Sequence, residues 1–111
     1  MRQKAHIGGR KVYVEVGFYD PEQTQIGEIF ITVDRSGTKE RFLIDSLART
    51  ASLAIQYGTP VDKVMEQWMG TRYQGGVVQG DEHVKMCLST LDYVAKHILI
   101  HYCGRMDLVP R

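Results

Sequence analysis

The sequence predicts an α+β domain, an antiparallel β-hairpin or three-stranded sheet followed by three helices, the last one long. Three observations carry that prediction. Residues 11–33 alternate apolar and polar side chains with a period of two. From Lys39 onward the period changes to 3.6. A glycine stop and a proline restart at Gly58-Thr59-Pro60 then divide the helical stretch.

Each element follows in order. Val12, Val14, Val16 and Phe18 share one face of a strand, with Tyr13, Glu15 and Tyr19 on the other. Asp20-Pro21-Glu22 opens a polar turn. The next strand, Ile26 to Val33, points Ile29, Ile31 and Val33 inward and Glu28, Phe30 and Thr32 outward. A shorter strand at Gln3–Ile7 can pair with the first through a turn at Gly8-Gly9, and Asp34-Arg35-Ser36-Gly37 forms another turn.

From Lys39 to Tyr57, Leu43, Leu47, Ala51 and Ala54 join Ile44, Ala48 and Ile55 in a broad apolar helical face. Gly58 suits the left-handed stop, Thr59 the N-cap and Pro60 the first position of a second helix, whose core side is Val61, Val64, Met65, Trp68 and Met69. Thr71 to Gly80, with glycines at 70, 75, 76 and 80, reads as a loop. Asp81 and Glu82 then start a third helix of about 22 residues, roughly 33 Å long. Such a helix would project an apolar end toward another subunit, so a homo-oligomer is expected.

Composition bounds the function. A chain of 111 residues, 43% hydrophobic and 24% charged, is a single globular domain. Fourteen basic against thirteen acidic residues leave a net charge of +1, a field too weak to imply DNA, RNA or a membrane surface as the main partner, with local basic patches left open. No apolar run reaches the ~18 residues of a membrane span and Met1 to His6 lacks a signal-peptide core, so the expected compartment is the cytoplasm. Cys87 and Cys103, placed on one helix about 24 Å apart, are expected to be reduced thiols. Leu108-Val109-Pro110-Arg111 matches a thrombin-site tag remnant, which leaves 1–107 as the domain.

Candidate site residues come from spacing. His97 and His101 are one helical turn apart, as metal ligands are. Without a third ligand close in sequence, solvated or interface histidines are the favoured account, and no metal is expected. Asp45 and Arg49 form an i,i+4 pair, either a surface ion pair or a device aiming Arg49 into a pocket. Thr71-Arg72-Tyr73-Gln74-Gly75-Gly76 sets a guanidinium and an aromatic face beside glycine-freed amides, which suits phosphate and base recognition, although a packed connecting loop is equally consistent. No nucleophile triad, Walker sequence or dinucleotide fingerprint occurs.

Four segments carry a family resemblance: Gly27-Glu28-Ile29-Phe30-Ile31, Leu53 to Pro60, Thr71-Arg72-Tyr73 and Ser89-Thr90-Leu91-Asp92-Tyr93. In order and spacing they resemble the TSCPD domain near the C-terminus of adenosylcobalamin-dependent ribonucleotide reductases, over roughly residues 5 to 100. The catalytic barrel with its radical cysteine and the cysteine-bearing tail motif do not occur in this sequence, and Tyr73-Gln74-Gly75-Gly76 stands where the family has Phe-Glu-Pro-Ser-Gly. A second resemblance is to phage Thoeris anti-defence sponges, which sequester cyclic ADP-ribose-type signals without cleaving them.

Together these imply a non-catalytic nucleotide-binding protein without cofactor, with a phage sponge for cyclic nucleotide immune signals in a host cytosol as its specific form. Its ligand would meet Arg49, Arg72, Tyr73, His97 and Arg105, with Tyr73 stacking on the base and the arginines engaging phosphates. The alternative is an accessory domain of a vitamin B12-dependent ribonucleotide reductase.

Overall fold

The computed structural model describes residues 2–34 and 38–109. The α+β class holds, with strands and helices in the order β1 Arg2–Ile7, β2 Arg10–Phe18, β3 Ile26–Val33, α1 Thr38–Gln56, α2 Val61–Trp68, β4 Gln74–Gln79, β5 Met86–Ser89 and α3 Thr90–Cys103, closed by a short 3₁₀ turn at Met106–Leu108. The strands form one antiparallel sheet in the order β3-β2-β1-β4-β5. Residues 35–37 of the expected turn lie outside the described residues.

The first hairpin follows from its turn. Gly8 and Gly9 both take positive φ, 55° and 82°, as a two-residue turn between twisted strands requires, and Ile7 pairs with Arg10. The period of two then sorts the side chains. Ala5, Ile7, Val12, Val14, Val16, Ile29, Ile31 and Val33 are buried, whereas Lys4, Lys11, Glu15, Glu28, Phe30 and Thr32 face outward and are exposed.

Helix α1 lies along β3 and protects the edge of the sheet. Ile44, Ala48, Ala51 and Ile55 are buried, and Ser52 reaches the strand backbone: its hydroxyl oxygen accepts the Ile29 N–H at 2.9 Å. Gln56 Nε2 donates to the Gly27 carbonyl beside it. The covered stripe is narrower than the sequence implied, leaving Leu43 65% and Leu47 40% exposed. Gly58, at φ 102°, ends α1 as expected. Pro60 rather than Thr59 occupies the cap of α2, whose helical span begins one residue later, at Val61.

Two segments differ from their sequence reading. The expected loop 71–80 contains β4, and the expected start of the third helix contains β5. Asp81 does not begin a helix; its Oδ1 accepts the N–H groups of His83 and Val84 at 3.0 and 3.1 Å, closing a turn that leads into β5. Gly75 is where the two strands come closest. A Cβ there would meet the Cys87 carbonyl oxygen at 2.2 Å, so the glycine that suggested a loop is needed for pairing.

Ser89 caps the true α3 by accepting the Asp92 N–H at 2.9 Å, and Gly104 ends the helix in the left-handed region. This helix is 14 residues long and is enclosed by its own domain, with Tyr93, Val94, Ala95, Ile98 and Leu99 fully buried. Its apolar residues therefore fill the core instead of projecting toward another subunit. Cys87 sits on β5, not on a helix shared with Cys103, and both are free thiols. Leu108 and Val109, read as tag remnant, pack against the core; Pro110 and Arg111 lie outside the described residues.

Candidate functional site

The shallow faces of α1 and α3 and the Thr71–Tyr73 segment between them leave a groove of about 480 Å³. Leu43, Ile44 and Leu47 of α1 and Leu91 of α3 give it apolar walls, and Thr71, Ser89 and Thr90 supply hydroxyls. Lys39, Glu40 and Tyr73 complete the lining. Tyr73 is 64% exposed, and its N–H donates to the Leu88 carbonyl, so its backbone is fixed while its ring faces solvent.

Four hydrogen bonds position these walls. Arg10 of β2 donates from Nη1 to Glu40 of α1 at 2.9 Å and from Nη2 to the Gln74 carbonyl at 2.7 Å, joining the first turn of α1 to the start of β4. Thr71 Oγ1 lies 2.8 Å from both the Trp68 carbonyl and Ser89 Oγ. Thr90 Oγ1, in contrast, is buried and has no hydrogen-bond partner among the described residues.

The five residues expected to share one ligand are distributed. Tyr73 lines the groove, and Arg72 is exposed next to it in sequence. Arg49 is exposed on α1, and no ion pair joins it to Asp45 among the described residues. Arg105 pairs with Asp107 at 3.0 Å and lines a different pocket, with Tyr19, Pro60 and Tyr102.

His97 is neither solvated nor at a surface, contrary to the sequence reading. It is buried, and its Nδ1 lies 2.8 Å from Asp81 Oδ2. The Tyr93 hydroxyl donates to the same oxygen at 2.8 Å, and His101 Nε2 approaches Oδ1 at 3.5 Å. Burial alone would raise the Asp81 pKa, but hydrogen bonds from His97, the Val84 and His83 amides and Tyr93 outweigh it and hold the carboxyl well below its usual range. Burial, reinforced by the Asp81 carboxylate, pushes the Tyr93 phenol upward. Asp81, His97 and His101 each offer a ligand atom, all within 4.8 Å of one another.

Sequence reasoning missed Arg10, Glu40, Asp81 and Thr90. Arg10 and Glu40 are thirty residues apart and Asp81 and His97 sixteen, and neither separation is a local spacing that signals contact.

Fold and site define a small α+β domain with one open sheet face and an apolar, hydroxyl-lined groove. The chain belongs to the TSCPD domain family, whose model matches residues 2–102. It is similar to vitamin B12-dependent ribonucleotide reductases: that of Bradyrhizobium diazoefficiens is 40% identical over 96% of this chain and 8% of the reductase, and that of Agrobacterium fabrum is 38% identical over the same shares. The reductase of Rhodopirellula baltica is 27% identical over 99% of this chain and 10% of its own length. The chain thus spans a tenth or less of the length of these three relatives. No solved structure matches it.

Proposed function

We propose that this chain acts as a non-catalytic accessory domain of a vitamin B12-dependent ribonucleotide reductase, working in the cytoplasm. The observation that carries this reading is a family match over residues 2–102 together with 40% identity to a protein named as such a reductase. The surface supports it. Leu43 and Leu47 on α1 and Phe30, Val77 and Met86 on the sheet are exposed apolar groups suited to docking on a larger catalytic chain or on a second copy. Among the described residues, no helix is long and apolar enough to cross a membrane.

Within that role, the groove is the favoured place for a nucleotide-type ligand, because the exposed Tyr73 ring and the apolar side chains of Leu43 and Leu47 line the same space. Its volume is in the range of small-molecule pockets. A sponge for cyclic nucleotide signals would gain from convergence of Arg49, Arg72, Tyr73, His97 and Arg105; with Tyr73 and Arg105 lining separate pockets and His97 enclosed, it is the less supported reading.

The test combines the purified chain with the Bradyrhizobium reductase from which the matching segment has been deleted. Co-elution, or a gain in adenosylcobalamin-dependent ribonucleotide reduction, is expected; the absence of both would overturn the accessory role. Native mass spectrometry with a nucleotide panel separates the remaining readings: retention of an intact cyclic ADP-ribose-type signal would favour the sponge, and degradation of any ligand would make the chain an enzyme.

A further inference from the structure

We propose that Asp81, His97 and His101 form a binding site for a divalent first-row transition cation, with zinc as its redox-inert representative. Two imidazoles and a carboxylate are a donor set that such ions accept, and three protein ligands leave a coordination position for water or another donor. Ligands about 2.0–2.2 Å from a tetrahedral ion stand roughly 3.3–3.6 Å apart. Here Asp81 Oδ2 and His97 Nδ1 are 2.8 Å apart, Asp81 Oδ1 and His101 Nε2 are 3.5 Å apart, and all three donors fall within 4.8 Å. Small side-chain adjustments would therefore suffice to admit an ion.

The backbone already fixes these donors. His97 and His101 are successive turns of α3, the most enclosed helix of the domain, and Asp81 is held by the His83 and Val84 amides and the Tyr93 hydroxyl. Those contacts orient the carboxylate as outer partners orient the ligands of a metal centre. Charge points the same way. The Asp81 side chain is fully buried, and among the described residues no lysine or arginine pairs with its carboxylate; Lys85 Nζ bonds to the Asp81 backbone carbonyl instead. A cation would neutralise this anion where no lysine or arginine does.

Access is from the His101 side, where the side chain is 24% exposed and its ring lies 5.2 Å from that of His83. Binding through His97 Nδ1 requires its proton to leave that nitrogen. An imidazole that carries its proton on Nε2 leaves Nδ1 free to ligate.

The full chain, stripped with a chelator and desalted, is titrated with CoCl₂ while visible d–d bands are followed, and with ZnCl₂ by calorimetry. One equivalent of either ion is expected. His101→Ala, with His101→Gln as the second variant if alanine disturbs folding, should weaken Zn²⁺ by at least the roughly 10- to 100-fold that loss of an outer partner costs. His6→Ala, outside the cluster, should leave binding unchanged. Failure of the wild type to take up either ion, or equal uptake by the folded His101 variant, would overturn the site and leave a hydrogen-bonded structural cluster.

Discussion

Asp92 Oδ1 accepts the backbone N–H of Gly70 at 2.7 Å, tying the first turn of α3 to the end of α2. Its second oxygen accepts the Leu88 N–H at 2.8 Å and lies 3.0 Å from Lys96 Nζ. One fully buried carboxylate thus joins α2, β5 and α3. Asp92→Ala strands two amides and should cost about 3 kcal/mol or more. Asp92→Asn should also destabilise, since its NH₂ must face one of those N–H donors. Urea denaturation of both variants measures the effect.

Ser52 plays a comparable part at the opposite edge of the sheet. Its removal leaves the buried Ile29 N–H without its acceptor, and Ser52→Ala is expected to lower stability by about 1–3 kcal/mol. Faster hydrogen exchange at the Ile29 amide would locate the loss on β3, and an unchanged rate there would refute this account.

Gly75→Ala tests the close approach of β4 and β5. A Cβ at this position meets backbone atoms, the Cys87 oxygen at 2.2 Å and Leu88 Cα at 2.6 Å, which cannot rotate away. A loss of about 1–3 kcal/mol is expected. Gly76, where a Cβ meets nothing within 4 Å, is the matched control.

Tyr73→Ala should separate function from stability. The ring is largely exposed, so the melting transition should move by no more than about 0.5 kcal/mol. Retention of a nucleotide in the groove, measured by native mass spectrometry, should fall sharply. Unchanged retention would place the ligand elsewhere.

The thiols give a pH prediction. Burial, opposed by a Gly76 amide and aided by the Asp92 charge, raises the Cys87 pKa above its ordinary value of 9.0. A raised folded-state value favours the protonated thiol in the fold. Its stabilising contribution is therefore complete below the ordinary value and is lost as pH climbs through the folded one. At pH 8 iodoacetamide should modify the half-buried Cys103 first, with Cys87 reacting at a comparable rate after unfolding.

The sequence made the first three strands and the first two helices legible because each has a single clear period and explicit stops. Residues 74–89 were not legible, for two physical reasons. Gly75 is there to let two backbones approach, yet glycines in sequence look the same as loop formers. Val84, Cys87, Leu88 and Leu91 recur at helical spacing across a turn, a strand and a helix start, so the period was accidental. At the site, Tyr73 could be found from composition, and the Leu53–Pro60 junction could be recognised as structural. Asp81 could not be joined to His97, because their meeting depends on β5 placing a turn beside the middle of α3.

Synthesis from the N-terminus produces β1, β2 and β3 first and α3 last of the strands and helices. Until α3 leaves the ribosome, only α1 and α2 can cover the inward rows of valine and isoleucine, and the core lacks Tyr93, Val94, Ile98 and Leu99. The nascent meander is then a sticky, aggregation-prone surface that chaperones would shelter. Enclosing α3 so completely makes a sound finished core, and its consequence is that the half-made chain is the most vulnerable form of the molecule.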